Sequence, residues 1–466
     1  MFVSSAIEAT GICLLTCSIR VTCCQFPVTG YAVPLPFDFC LLTFGTILQL
    51  TNSMKGGKKF QTILVLGLLS AIGPFSIDMY LPGFPSIAAD LHTTVAKISL
   101  SLSSFFIGIS FGQMLYGPLL DRYGRKRPLY IGISAYLIAS IGCAMATSAD
   151  QLIWLRLLQA LGSCSGMVAS RAMVRDLFPV SENAKVFSLL MLVVGVSPII
   201  APTLGGYLSS EFSWHYVFVV LTIMSALILL AVHFYLPESK KPDPDFSLKP
   251  KPIINGFLSV AKEPQFYTYA LAGSIASAGL YAYISGSPSV FMELYKVSEK
   301  QYGWIFAMVA AGLITSSQLN TVLLRKYKSE QIVVVALLCQ SITGMLLFTG
   351  TMLGLSGLYG SIFLCFLFLS CQGFTFPNTS ALSLAPFSKN AGSASALLGS
   401  VQMGIGAFTS ALVSYLNNGT ALPMTGVMAS CALTAFIILI VGGRIIRIKT
   451  SAEKVQEESA EMMITS

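Results

Sequence analysis

Asp78 is the residue whose surroundings first suggest chemistry. It lies in LVLGLLSAIGPFSIDMYLPGFPSI, residues 64–87, an almost wholly apolar stretch that also holds Pro74, Pro82 and Pro85 and no Lys or Arg. A carboxylate in hydrocarbon costs roughly 2.5–3.5 kcal/mol on insertion scales, so intramembrane carboxylates mark ion or proton pathways. Asp78 is the one acidic residue well inside an apolar span, whereas Asp150 and Glu293 lie at span ends. The neighbouring prolines loosen the helix and admit water where irregular backbone borders a cavity. Reversible protonation is the chemistry this setting predicts.

Other constellations offer binding and switching rather than bond chemistry. The loop GPLLDRYGRKRP carries the densest charge in the chain and sets Asp121 among Arg122, Arg125, Lys126 and Arg127. Gly117 is suited to a close approach and Gly124 to a tight turn. A carboxylate there can cap a helix or bridge to arginine, so the loop reads as a conformational latch of Gly117, Asp121, Arg122, Gly124 and Arg125. In DQLIWLRLLQALGSCSG, Arg156 sits inside an apolar run with Gln159 and Gly162 on its face. The GSCSG segment has no strand-to-helix context for a nucleophile and reads as small-residue helix packing. VVGVSPIIAPTLGGYL concentrates Gly195, Pro198, Pro202, Gly205 and Gly206, which kink a helix and allow close contact. Tyr281, Tyr283, Gln318, Phe374, Phe376, Asn378 and Gln402 are candidates to line a cavity, since apolar pockets use aromatic walls with few polar groups. There is no G-x-x-x-x-G-K-[ST] and no H-E-x-x-H, and His92, His215 and His233 are far apart. No enzyme, metal or cofactor constellation emerges, and the 11 cysteines show no metal spacing.

The elements that position these residues are membrane helices. Hydrophobic residues make up 54% of 466 and charged residues 10%, against roughly 25% charged in an ordinary soluble domain. About twelve apolar runs after residue 58 are long enough to span a bilayer as helices. The net charge of +8 follows topology. Lys55, Lys58, Lys59, the Arg122–Arg127 cluster and the lysines of 240–262 fall on one side, whereas Lys97, Lys296 and Lys300 fall on the other. That is the positive-inside pattern, with both termini cytoplasmic, and it removes the case for nucleic acid. The predicted organisation is a leader over 1–53 with the natural start at Met54, a six-helix bundle over 54–236, a proline-rich charged linker over 237–265, a second bundle over 266–446 and a polar tail over 447–466. GPLLDRY and TVLLRKY, PSI (85–87) and PSV (288–290), and NAKVFSLL and NAGSASALL recur at offsets near 203–207, a parallel repeat that puts a site between halves.

The charged loop resembles the signature between helices 2 and 3 of the major facilitator superfamily. IDMYLPGFPSIAADL, SRAMVRDLF, YISGSPSVFMELYKVSEKQYGWIFA, FPNTSALSLAP and AGSASALLGSVQMGIGAFTSAL are similar to its bicyclomycin-resistance (Bcr/CflA) drug-efflux branch, from about Met54 to Arg444. The resemblance implies an all-α membrane protein of twelve helices in two bundles, and such a closed two-bundle fold needs no partner, so a monomer is expected with the oligomeric state left open. It implies export of drug-like small molecules across a bacterial inner membrane in exchange for protons, with no cofactor. It also gives Arg156 a part in proton coupling with Asp78, and the fifth helix the antiporter signature, with Ala201-Pro202 for the usual Gly-Pro. Ala160 stands where relatives often carry glycine, and SRAMVRDLFP suggests a gating contact. A proton-coupled metabolite importer on the same fold is the alternative.

Overall fold

A computed structural model describes residues 57–244, 248, 250–387 and 391–465. The expectations for residues 1–53 and the start at Met54 lie outside these. The first half comprises α1 (Gly57–Asp78), α2 (Phe84–Asp90), α3 (Val95–Tyr123), α4 (Lys126–Ala144), α5 (Ala149–Leu177), α6 (Val180–Glu211) and α7 (His215–Tyr235). The linker holds α8 (Pro250–Ala261). The second half comprises α9 (Pro264–Pro288), α10 (Glu299–Leu323), α11 (Ser329–Met352), α12 (Leu358–Leu384), α13 (Ala391–Leu416) and α14 (Leu422–Thr465).

Among the described residues, 11 spans are long and apolar enough to cross a membrane, the first running unbroken in sequence through α1 and α2. The twelfth expected span is α9, which has 25 residues but is rich in Ser, Gly and Tyr. It is buried on nearly every face, packed against α12, α13 and α14 and touching α3. A helix that meets protein all round needs no apolar face for lipid, and small residues let its neighbours approach closely.

Local sequence sets the helix ends. Thr94 and Ser148 accept the backbone N–H three residues on, at 3.2 and 3.3 Å, as N-caps of α3 and α5. Ser298 and Gln301 form a capping box at α10. The first span breaks after Asp78, where a 3₁₀ turn (Leu81–Gly83) containing Pro82 leads into α2. The first span of the second half loosens as well, as a π-helical segment over Ser289–Leu294 just after Pro288. PSI lies inside α2, beyond the first break, whereas PSV spans the start of the second, so the two breaks do not fall at equivalent positions of the repeat.

Two seams join the bundles. Along α3 and α13, Ser103 bonds Ser410 at 2.9 Å, Ser110 donates to the Ser400 carbonyl at 2.8 Å, and Ser99 reaches the Ser285 carbonyl of α9 at 3.3 Å. Along α6 and α10, Gly206 faces the Glu299 carbonyl and Gly303 the Pro202 carbonyl, so backbone lies on backbone. Lys300 and Glu211 close that end with an ion pair.

Candidate functional site

Asp78 is the last residue of α1 and only 5% exposed. Among the described residues nothing forms a hydrogen bond or ion pair with its carboxylate. Tyr281 of α9 and Tyr302 of α10 lie within electrostatic reach, and the 3₁₀ turn that follows Asp78 touches both of these helices. Tyr281 sits in the seam itself. Its ring centroid is 4.7 Å from that of Phe106 on α3, its hydroxyl approaches the Met403 sulfur at 3.6 Å, and Gly406 leaves room for its ring. The Tyr302 hydroxyl is held by Ser287 at 2.8 Å.

Arg156 forms neither an ion pair nor a hydrogen bond with Asp78; its partners lie elsewhere. Its guanidinium is fully buried and lies 4.2 Å from each of the Tyr80 and Phe105 ring centroids, with Phe218 at 5.9 Å. Nη1 donates to Gln159 Oε1 at 2.6 Å and Nη2 to the Ser76 carbonyl at 2.8 Å, while Nε has no partner. Ser76 is in the last turn of α1, whose carbonyls lack intrahelical donors. Arg156 thus caps α1 two residues before Asp78, where a cation also complements the helix dipole. Gln159 continues to Ser140 at 2.7 Å, and Ser76 to the Tyr136 hydroxyl at 2.7 Å, tying α1, α4 and α5 together. The aromatic cage was invisible in sequence because its three rings come from separate elements. The Ala160 departure is accommodated by Gly108 on α3, where an added Cβ would come within 2.6 Å of the Ala160 methyl.

The charged loop is assembled with a partner the sequence did not flag, the start of the linker. Asp121 accepts from Arg125 at 3.1 Å and Lys240 at 2.7 Å, and Arg125 also bonds Asp176 at 2.7 Å. Glu238 accepts the Arg125 and Lys126 backbone N–H groups at 2.7 and 3.0 Å, a carboxylate cap on the N-terminus of α4. Arg122 donates to the Pro244 carbonyl, Ser239 to Asp176 at 2.9 Å. Gly124 has φ +80°, the turn its type allows. Gly117 has no atom within 4 Å of where a Cβ would stand, so the expected close approach there is absent in this conformation. Arg171 and Arg175 are exposed, and Asp176 is the member of SRAMVRDLFP that joins the loop.

On α6, Gly205 lies against the Met79 carbonyl, the residue after Asp78, so a methyl group there would overlap backbone. Pro202 presents its carbonyl to Gly303, and both Pro198 and Pro202 lie within a helix that remains continuous. Gly195 meets nothing within 4 Å. Of the cavity candidates besides Tyr281, Gln318 is exposed on α10 and Phe374 is half-buried. Asn378 is committed to packing: its amide donates to Asn320 at 2.7 Å and to the Phe374 carbonyl at 2.8 Å. Gln402 reaches Ser277 at 3.2 Å, where Gln372 also donates at 2.6 Å and is followed by Gln340 at 3.3 Å. Ser277, Gln340 and Gln372 went unrecognised because isolated polar residues in apolar helices carry no spacing signal.

Comparison with known proteins agrees with this architecture. The family model of the Major Facilitator Superfamily matches residues 66–411. The chain is 32% identical over 378 residues to the bicyclomycin resistance protein homolog of Haemophilus influenzae, covering 81% of this chain and 95% of that one. It is 28% identical over 370 residues to the multidrug resistance protein MdtL of Escherichia coli, covering 78% and 91%. The crystal structure of a D-xylose-proton symporter shares the fold, with TM-score 0.67 at 14% identity over 82% of this chain and 97% of that one.

Proposed function

The chain belongs to the Major Facilitator Superfamily, a family of membrane transporters rather than enzymes, and on that premise we propose that it exports drug-like small molecules in exchange for protons. The observation that carries this reading is Asp78, buried at the broken end of α1 next to a turn that touches the second bundle, without an ion-pair partner among the described residues. A proton arriving from outside neutralises Asp78 in the outward-open state and releases drug. Rocking of the bundles then exposes Asp78 to the cytoplasm, where it gives up the proton as the next drug binds. Such a cycle needs only that the proton affinity of Asp78 differ between the two states.

In this scheme Arg156 is a positioning residue, because it fixes the end of α1 on which Asp78 sits. Gly205 and Gly206 let α6 ride against that break and against α10, so movement of the second bundle reaches Asp78 through backbone contacts. The loop around Asp121 and Arg125, with Glu238 and Lys240, biases which conformation the basic face adopts. Tyr281 and Gln402 contribute to the substrate cavity. The basic face is cytoplasmic, with both termini on that side, and the membrane is a bacterial inner membrane.

A drug panel on a pump-deficient host expressing this chain identifies a substrate and its direction. In everted vesicles with an acidic interior, that drug should trigger proton release; Asp78→Asn should still bind it yet give no release, and Asp78→Glu should keep part of it. Undiminished drug-driven proton flux in Asp78→Asn would falsify the assignment. Sensitisation of the host with accumulation inside cells would favour the importer instead.

A further inference from the structure

The linker helix α8 has two faces. One rests on the second bundle: Val260 is buried with Phe266 and Ala270 of α9 and Ala394 of α13, and Gly256 faces Ser393. The other carries Lys251, Ile254, Asn255, Leu258 and Lys262, all exposed, with Ile254 and Leu258 at 51% and 52%. These positions follow i, i+3, i+4, i+7 and i+11, so they form one stripe about 16 Å long. Its centre holds Ile254 and Leu258 with Asn255 beside them, and a lysine stands at each end.

We propose that this face of α8 docks on the anionic phospholipid headgroups of the membrane surface. The position supports it. Span α9 begins at Pro264, two residues beyond Lys262, and α13 starts beside α8, so α8 lies where both helices enter the bilayer. The side-chain chemistry supports it as well. A helix lying in the interface buries its apolar residues at the acyl boundary and turns lysines toward phosphate, which is the order of residues along this stripe. Docking holds the linker beside the second bundle, while residues 238–244 bind the charged loop of the first. Anionic lipid would thereby act on the segment that bridges the two bundles.

The test uses the full chain in nanodiscs of phosphatidylcholine with or without 30% phosphatidylglycerol. A benzophenone amino acid replaces Ile254 or Leu258, and adducts are identified by mass spectrometry after illumination. Both positions should give lipid adducts, enriched in phosphatidylglycerol by roughly five-fold per lysine. Lys251→Gln with Lys262→Gln should remove that enrichment. As a readout without a photoprobe, native mass spectrometry of the natural chain should show retained phosphatidylglycerol that the double variant lacks. Adducts to the first bundle, absence of adducts, or equal labelling of both lipids would each overturn the proposal, as would equal lipid retention by the natural chain and the double variant.

Discussion

Replacing Arg156 by lysine keeps the charge but removes the flat, forked donor. The guanidinium makes two bonds in different directions, to Gln159 and to the Ser76 carbonyl, while lying 4.2 Å from each of two ring centroids. One ammonium can keep one of these anchors and cannot stack. The lost charge-assisted bond is worth about 1.5–3 kcal/mol, and the weakened desolvated ring contact about 1–2 kcal/mol. Because the site is fully buried, solvent screening reduces neither contribution. A loss near 3–4 kcal/mol corresponds to a fall in Tm of about 6–16 °C for a bundle of this size. The assay is thermal unfolding of the purified protein in nanodiscs, run beside drug-driven proton release. Arg156→Lys should melt early and couple protons poorly, with drug binding preserved near wild type at low temperature. Arg156→Met should be worse, since it leaves the Ser76 carbonyl and Gln159 both unpaired. A wild-type melting curve together with abolished proton release would refute the capping argument and give Arg156 a direct part in proton transfer.

Gly205→Ala should abolish drug resistance because its methyl would meet the Met79 carbonyl, whereas Gly195→Ala, with nothing within 4 Å, should remain near wild type; equal loss in a resistance assay would sink the packing argument. Asp121→Asn should slow turnover by less than about ten-fold with drug affinity intact, because the Asp121–Lys240 pair is about a third exposed on both sides and such pairs are worth about 1 kcal/mol or less; lost affinity with normal saturated turnover would contradict the latch. Asn378→Ala should lower Tm, since it leaves the buried Asn320 oxygen without its donor at a cost of about 1–3 kcal/mol. Gln402→Ala should instead alter the drug profile with little change in Tm, and a large Tm loss there would make Gln402 structural.

The sequence by itself determined the class and much of the layout. Apolar runs of span length are local properties, and the thickness of a bilayer turns them into membrane helices. Asp78 was legible for the same reason, since one carboxylate in an apolar run is costly wherever the helix lies. Gly124 was legible because backbone conformation is a property of one residue.

Tertiary structure decided the pairings. Arg156 and Asp78 look like natural partners in a list of intramembrane charges, yet Arg156 points into Tyr80, Phe105 and Phe218 and onto the Ser76 carbonyl. Helical rotation and the crossing of α1, α3, α5 and α7 set that choice, and no single segment encodes them. Glu238 and Lys240 looked like ordinary linker charges until the chain folded back onto α4. The same holds for α6, where the glycines are plain in the sequence but only packing shows that Gly205 rests on the break beside Asp78 while Gly195 stands free. Charge and hydropathy are summed along the chain and can be read there; contact geometry depends on which helix faces meet, and that is fixed only when the bundles form.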